Sequence, residues 1–212
     1  MKSKEDVLLK KIKPFIIDKD VLDIGCVEHS LNNKNKERIW VHDFLKRNCR
    51  TLTGIDILKK DVQILRKEGY EVCVMNAETF SFKKKFEIIF AGELIEHLSN
   101  PGLFLQQCKK HLEKKGILIL TTPNAFNFYR LVLSFLRGNN NPPVNNEHVC
   151  WYSPKVLKTL LERYNLEIFK TEYVDYPFLS PRMDVHISNF FSKFFPKLKE
   201  TMILFIRIKN EN

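Results

Sequence analysis

The 212-residue sequence predicts an α/β fold, a doubly wound parallel sheet with helices packed on both faces. Short apolar runs bounded by turn residues alternate along the chain with longer segments whose apolar residues recur at helical spacing. The clearest run is VLDIGC at 21–26, whose aliphatic residues suit a central parallel strand buried on both faces. Gly25 then allows the backbone to turn beneath a ligand without a side chain in the way.

The strands are predicted from apolar, β-branched runs that end at polar or glycine residues. We expect strands over 21–24, 52–55, 71–75, 86–91, 117–121, 166–174 and 202–208. The run at 86–91, FEIIFA, is strongly apolar, which favours a position near the centre of the sheet. Because helical segments separate these runs, the connections should be right-handed crossovers between parallel strands.

The helices are predicted from amphipathic spacing and from their start and stop residues. We expect helices over 5–16 with an end near Pro14, over 36–48, over 58–68 with Gly69 as the stop, from Pro101 to Gly116, briefly after Pro123, and over 153–164 with Ser153 as the cap. We interpret residues 1–212 as one domain, with an N-terminal helical segment at 1–19 and a substrate-side insertion or lid at 122–152.

Composition limits the compartment and the partners. The formal net charge of +10 admits nucleic acid or an acidic surface as partner, although short lysine runs favour a generally solvated basic surface. No apolar signal segment begins the chain and no uncharged stretch is long enough to span a bilayer, so we expect neither export nor insertion. Five cysteines without CxxC or CxxH spacing predict a reducing, cytoplasmic location, namely Cys26, Cys49, Cys73, Cys108 and Cys150.

Polar residues follow the ends of the first four predicted strands. In open α/β sheets ligands bind beyond the carboxyl ends of the strands, so these residues are candidates for a common site. They are Asp23, Gly25 and Cys26 in the first segment, Asp56 and Ile57 in the second, Asn76, Ala77 and Glu78 in the third, and Gly92 and Glu93 in the fourth. The carboxylate of Asp56 can accept two hydrogen bonds from a vicinal diol, and Asn76 offers a donor and an acceptor.

This combination of segments resembles class I S-adenosylmethionine-dependent methyltransferases, over about residues 21–174. The resemblance implies a Rossmann-like, seven-stranded, mostly parallel sheet with an antiparallel last strand, in three α/β/α layers. It also implies the cofactor S-adenosyl-L-methionine, with its amino-acid part on the first loop, its ribose on Asp56 and its adenine beside 76–78. The first loop departs from the family pattern, because Val27 and His29 replace glycines and need a wider turn. Such a loop argues against a tightly bound pyrophosphate.

The run Glu93-Leu94-Ile95-Glu96-His97 is the second informative stretch. If a helical turn begins after the fourth strand, Glu93, Glu96 and His97 share one face, and His148 returns later in the chain. These four residues can act as ligands for a divalent metal such as Mg²⁺. Alternatively His97 and Glu93 act as base and orienting acid, or the run lines the cofactor pocket. His42 and His111 are interpreted as structural or solvent-facing.

Two family resemblances bear on this run. ExxEH with a later histidine resembles the metal site of small-RNA 3′-terminal 2′-O-methyltransferases. The ExxEH part alone resembles quinone-biosynthesis O-methyltransferases. Methyl transfer needs mainly an aligned nucleophile, but an alcohol acceptor must also lose its proton, which a base or a bound cation can assist.

Aromatic residues gather near the predicted insertion, namely Phe126, Phe128, Tyr129, Trp151 and Tyr152. They predict either an acceptor-binding mouth or a lid that buries its own apolar face. Arg130 and Arg137 can meet a phosphate or carboxylate of an acceptor. The Phe-rich segment 187–198 suits either a membrane surface or, more simply, a helix on the sheet.

The functional hypothesis is methylation, most simply on oxygen, of a small metabolite, a glycan or a lipid-linked acceptor. An RNA-modifying 2′-O-methyltransferase is the alternative, favoured by the positive charge and by His148. A catalytically inactive domain that keeps the fold is a third, suggested by the missing glycines. The acceptor and the oligomeric state are left open by the sequence.

Overall fold

The computed structural model of the chain describes residues 4–27, 40–137, 146–175 and 194–209. Its strands are β1 (Asp20–Ile24), β2 (Thr51–Asp56), β3 (Val72–Val74), β4 (Phe86–Gly92), β5 (Leu112–Pro123), β6 (Leu166–Val174) and β7 (Thr201–Ile208). Its helices are α1 (Lys4–Ile16), α2 (Val41–Asn48), α3 (Lys59–Lys67), α4 (Pro101–His111), α5 (Phe128–Arg137) and α6 (Pro154–Glu162). Short 3₁₀ turns lie at Ile95–His97 and Pro196–Leu198.

The strands form one sheet in the order β3-β2-β1-β4-β5-β7-β6. Strands β1 to β5 pair in parallel, whereas β7 is antiparallel to both β5 and β6. This arrangement confirms the predicted mostly parallel sheet with an antiparallel last strand. The order of the strands reverses between β1 and β4, and in such sheets the crevice beyond that switch point is where ligands bind.

Two apolar cores cover the two faces of the sheet. Because successive strand residues point to opposite faces, Leu118 and Leu120 belong to one core and Ile119 belongs to the other. Buried residues of α4 and α6 complete the first core, and those of α1 and α2 complete the second. The chain is therefore layered as helices, sheet and helices, as the alternation of segments predicts.

The predicted end of the fourth helix was wrong. Helix α4 ends at His111, and residues 112–116 already belong to β5 rather than to a helix closed by Gly116. The pairing of β4 with β5 shifts register between Phe86 and Ile88. A Cβ at Gly116 would lie 2.9 Å from the carbonyl oxygen of Glu87, so the glycine permits close approach of two strands. Glycine is common both at helix ends and at irregularities in strands, which explains why Gly116 was predicted to end a helix.

Two predicted helices lie at the N-terminal side of the chain. Helix α1 ends at Ile16, as predicted, and Pro14 lies within its last turn. Ile12 and Ile16 are both buried, so packing of the apolar stripe holds the last turn despite the hydrogen bond that proline removes. Residues 41–48 of the predicted second helix are helical, whereas its predicted start at 36 lies outside the described residues.

Several predicted boundaries are confirmed. Strand β6 spans the predicted residues, and Ser153 caps α6 by accepting a hydrogen bond from Val156 N at 3.3 Å. Gly69 follows α3 with φ +84°, in the left-handed region that favours glycine. Of the Phe-rich segment, residues 187–193 lie outside the described part, and its last residues form the second 3₁₀ turn. Within the described ranges, each helix is too short or too polar to cross a bilayer.

Candidate functional site

The loop after β1 crosses the carboxyl end of β2. Gly25 has φ +82°, and the N–H groups of Gly25 and Cys26 donate to the carbonyl oxygen of Ile55 at 2.8 and 3.3 Å. A Cβ at Gly25 would lie 3.4 Å from Cδ1 of Leu94, so the loop faces the segment that follows β4. Burial raises the pKa of the Cys26 thiol, and Cys26 therefore contributes its backbone rather than a thiolate.

Asp56 stands at the end of β2 against this loop. Its Oδ2 accepts from Val27 N at 3.0 Å and its Oδ1 accepts from Leu58 N at 3.0 Å. A carboxylate has about four lone-pair positions, so two can still accept from a ligand. The residue is 9% exposed, and the neighbouring Ile57 is strongly exposed. This geometry fits a ribose diol held by one buried acid.

The valine that replaces a loop glycine packs inward. Val27 is buried in a small core with Val62, Leu65 and Val72, beneath α3. The side chain is therefore accommodated by packing against α3 and β3. His29, the other residue at a usual glycine position, lies outside the described residues.

The segment after β3 is organised by its own side chains. Asn76 is exposed, and its Oδ1 accepts from Glu78 N at 2.7 Å, which fixes a tight turn. Ala77 is buried. Glu78 binds Asn100 just before α4, accepting from the backbone N–H at 2.7 Å and from the side-chain amide at 3.3 Å. Asn76 is the exposed polar residue of the three, and Glu78 mainly anchors the segment.

Asp23 is engaged by a histidine whose role the sequence did not reveal. His42, on α2, is 1% exposed, and its Nδ1 lies 2.7 Å from Oδ2 of the buried Asp23. A Cβ at Gly54 would lie 2.7 Å from Cε1 of His42, so the glycine leaves room for the ring. Trp40 Nε1 donates to the Cys26 carbonyl at 2.8 Å and its ring stands 5.1 Å from that of His42. The signal available in the sequence was an acid on a buried strand and a histidine on an apolar helix face.

The segment after β4 does not form the predicted continuous helical turn. Glu93 has φ +48°, a left-handed conformation that is uncommon for a residue with a side chain, and its N–H donates to Oγ1 of Thr121 at 3.0 Å. The 3₁₀ turn then begins at Ile95. Glu93 is therefore not one helical turn before Glu96 and His97.

Glu96 is the buried acid of this segment, with 1% exposure. Thr122 Oγ1 donates to its Oε2 at 2.9 Å, and within the described residues its Oε1 has no hydrogen-bond partner. Burial, reinforced by the charge of Glu93, raises the pKa of Glu96 to about 8, against the opposing influence of its backbone hydrogen bond, Thr122 and Arg130. Thr122 was not singled out from the sequence, because it is distant along the chain and its type is unremarkable.

Residues 147–150 contact the 3₁₀ turn at Ile95–His97. The N–H groups of Val149 and Cys150 donate to the carbonyl oxygen of Glu96 at 2.9 and 3.2 Å. Nδ1 of His97 lies 3.2 Å from the carbonyl oxygen of Glu147. The rings of His97 and His148 are perpendicular, with centroids 4.6 Å apart. His148 thus meets the ExxEH segment, as the sequence predicts.

Three of the four predicted metal ligands converge. One ligand atom from each of Glu96, His97 and His148 lies within 4.8 Å of the others. Glu93 is not in this group, although its charge acts on Glu96. The cluster stands at the carboxyl ends of β4 and β5, the edge at which ligands bind in such sheets.

The predicted acceptor side begins with α5. Asn127 is buried, and its Oδ1 accepts from Arg130 N at 3.1 Å at the start of the helix. The guanidinium carbon of Arg130 lies 4.4 Å from the centroid of the Trp151 ring. Phe126 is exposed, whereas Tyr152 is buried in the main core and cannot line a mouth as predicted. The side chains of Tyr129 and Arg137 lie outside the described part of the structure.

His111 is structural, as predicted. Its Nε2 accepts from Phe82 N at 2.9 Å and its Nδ1 lies 2.8 Å from the carbonyl oxygen of Gln107, at the end of α4 away from the cleft.

A family model described as a methyltransferase domain matches residues 5–171 of the chain. The chain belongs to this methyltransferase family. Among its relatives, the mitochondrial ubiquinone biosynthesis O-methyltransferase of Saccharomyces cerevisiae is 32% identical over 170 residues, 74% of this chain and 53% of that protein. That of Actinobacillus pleuropneumoniae is 27% identical over 131 residues, 56% of this chain and 52% of that protein. The methyltransferase chain thus spans about half the length of the curated relatives it matches.

Solved methyltransferases share the fold. An S-adenosylmethionine-dependent methyltransferase from Thermotoga maritima aligns with TM-score 0.66 at 17% identity, over 95% of this chain and 87% of that one. Magnesium protoporphyrin IX methyltransferase from Synechocystis, solved with bound S-adenosylhomocysteine, aligns with TM-score 0.62 at 12% identity, over 97% and 81%. The predicted Rossmann-like methyltransferase fold is confirmed.

Proposed function

We propose that this chain transfers a methyl group from S-adenosyl-L-methionine to an oxygen atom of a small-molecule acceptor. The observation that carries the proposal is the placing of Asp56 and the Glu96–His97–His148 cluster along one edge of the sheet. The relatives named as ubiquinone biosynthesis O-methyltransferases support oxygen as the acceptor atom and a small molecule as the substrate.

The residues of the cleft fit the cofactor. The remaining lone pairs of Asp56 would hold the ribose hydroxyls, the loop at Gly25 would pass beneath the amino-acid part, and Asn76 would meet the adenine edge. Asp23 would help to position the loop at Gly25 rather than contact the cofactor, because its Oδ2 is already paired with His42. When bound, the sulfonium supplies a methyl group that is already electrophilic.

The work left to the protein is to align the acceptor and to receive its proton. When Nδ1 of His97 carries its hydrogen and donates to the Glu147 carbonyl, Nε2 has the lone pair that can take a hydroxyl proton. Methyl transfer then forms the new C–O bond as the C–S bond breaks, and the proton resides on Nε2. Glu93 directly follows β4 and is not a member of the Glu96–His97–His148 cluster. It would act as the acid that orients the base.

A divalent cation at the same cluster is the second proposal. One carboxylate and two imidazoles provide three ligand atoms. Oε1 of buried Glu96 has no hydrogen-bond partner within the described residues, so it is available to coordinate a cation. Two nitrogen donors suit Mn²⁺, Co²⁺ or Zn²⁺ better than Mg²⁺, which prefers oxygen ligands. The cation would lower the pKa of an acceptor hydroxyl and orient it. Titration with Co²⁺ should give a d–d absorption spectrum that His148→Ala abolishes and the exposed-site variant Glu162→Ala retains.

Cofactor binding and turnover test the main proposal separately. Isothermal titration with S-adenosylhomocysteine should show binding that Asp56→Ala weakens by about 10- to 100-fold, from two lost charge-assisted hydrogen bonds. His97→Ala should bind equally well but lower methyl transfer to a catechol acceptor by about 100-fold or more. Glu162→Ala, which removes an exposed carboxylate of α6, is the control for both readouts. Equal turnover by the wild type and both variants would place the reaction elsewhere.

RNA as the acceptor remains a prediction that rests on the net charge of +10 and on His148. RNA binding that falls steeply with salt, together with methylation of a 3′-terminal ribose, would favour it. Glycan and lipid-linked acceptors and a cytoplasmic location also remain predictions. A chain that gives no heat with S-adenosylhomocysteine would favour the inactive-domain hypothesis.

A further inference from the structure

Arg130 lies on the acceptor side of the cleft and is held in a defined position. It lies in the first turn of α5, where Oδ1 of the buried Asn127 accepts a hydrogen bond from Arg130 N. Its guanidinium covers the ring of Trp151 at 4.4 Å, so the planar cation is stacked rather than extended into solvent. Arg130 and Trp151 are both half-buried.

Within the part of the chain that the structure describes, the guanidinium of Arg130 forms no ion pair. Among residues 4–27, 40–137, 146–175 and 194–209, no carboxylate oxygen lies within 4.0 Å of it. Two other arginines of the chain are paired, Arg50 with Glu87 and Arg207 with Glu167, each at 2.7 Å. Stacking occupies only the face of a guanidinium, and its five N–H donors lie at the edge.

Burial lowers the pKa of Arg130, and the more distant charges of Glu200, Glu93 and Glu96 oppose that effect. These acids act on the guanidinium over a longer distance than an ion pair. A partly buried cation with unused donors is costly unless a ligand completes its hydrogen bonds.

The stacked pair is connected to the segment that holds Glu96. Trp151 directly follows Val149 and Cys150, whose N–H groups are bound to the Glu96 carbonyl. The charges that act on Arg130 come from the ends of β4 and β7, whereas the cofactor loop follows β1. An anion held by Arg130 therefore belongs to the acceptor rather than to the amino-acid part of the cofactor.

We propose that Arg130 and Trp151 form an acceptor subsite that selects a molecule carrying a carboxylate near the hydroxyl to be methylated. The two parallel N–H groups of a guanidinium edge match the two oxygens of a carboxylate, which gives orientation as well as affinity. This inference rests on the proposed function, because it names the substrate class of the same site.

The test compares an acid with its neutral isostere on protein saturated with S-adenosylhomocysteine. The probes are 3,4-dihydroxybenzoate and 3,4-dihydroxybenzamide, measured by quenching of tryptophan fluorescence and by isothermal titration. The wild type should bind the acid at least about tenfold more tightly than the amide, the effect expected of one charge-assisted pair. Arg130→Gln should remove this preference, and Arg130→Lys should restore part of it.

Arg207→Gln is the matched control, because Arg207 also covers an aromatic ring, that of Phe169 at 5.7 Å, on a distant strand. It should keep the full preference for the acid. A wild type that binds S-adenosylhomocysteine without preferring the acid, or that binds neither probe, overturns the subsite. So does a loss of S-adenosylhomocysteine affinity in Arg130→Gln, which would assign the arginine to the cofactor. Failure of the wild type to bind S-adenosylhomocysteine refutes the proposed function instead.

Discussion

Replacing Glu96 by glutamine should change how the free energy of unfolding depends on pH. The carboxyl is buried and its pKa is raised from the ordinary value of 4.5 to about 8. A carboxyl with a raised folded-state pKa binds its proton more tightly in the folded state than in the unfolded one. The folded state is therefore most favoured at low pH, and its stability falls as pH rises from about 4.5 to about 8 and then levels.

The magnitude follows from the width of this window. Each pH unit in which only the folded state keeps the proton costs about 1.4 kcal/mol. From about pH 5.5 to about pH 8.5 the wild type should lose up to about 3 kcal/mol that Glu96→Gln does not lose. Glutamine keeps the shape and can still accept from Thr122 Oγ1, so the two proteins should be nearly equally stable at the acid end.

The assay is urea unfolding followed by circular dichroism at several pH values, with EDTA present so that no cation pairs with the cluster. Other titrating groups are common to both proteins and cancel in the difference. Glu87→Gln is the control, because the hydrogen bond from Lys19 and that from Asp20 N lower the pKa of Glu87, below this window. Parallel pH curves for the wild type and Glu96→Gln would refute the reasoning that Glu96 is held protonated by burial.

Three further substitutions test the framework of the site. Gly54→Ala should destabilise the chain by about 1–3 kcal/mol and weaken S-adenosylhomocysteine binding, because the new Cβ would displace the His42 ring; urea unfolding and calorimetric titration measure the two effects. Asn124→Ala should cost about 1–3 kcal/mol in thermal unfolding, because the buried amide donates to two carbonyl oxygens in residues 197–199, both at 2.9 Å. Ser153→Ala should cost about 1 kcal/mol by the same assay without changing cofactor affinity, since it removes only the cap of α6.

The order of strands and helices and the strand-end positions of the site could be predicted because they depend on local patterns. An aliphatic run followed by glycine at 21–26 predicts a strand and its turn, and Asp56 follows the next strand in the same way. The left-handed backbone at Glu93 could not be predicted, since glutamate carries no signal for that conformation. The helical turn assumed from the spacing of the ExxEH run therefore begins only at Ile95, although Glu93 still acts on Glu96 through its charge.

Contacts between side chains that are distant along the chain could not be predicted from the sequence either. His42 and Asp23 are 19 positions apart, and Thr122 and Glu96 are 26 apart, so only the folded sheet brings them together. The extra residues at the start of β5 were missed for a different reason. Residues 113–115 are polar and exposed, which resembles a helix end more than a strand. They lie between two residues that pair with β4, Leu112 with Phe86 and Ile117 with Ile88, and so fall within β5.

The backbone hydrogen bonds from Val149 and Cys150 to the carbonyl of Glu96 join the two segments to which we assign acceptor recognition and proton transfer. A designer who wished to exchange the segment around Trp151 for that of another enzyme would have to transplant residues 93–98 with it. Diversification of specificity in this chain should accordingly proceed by paired changes in the two segments, not by loop replacement alone.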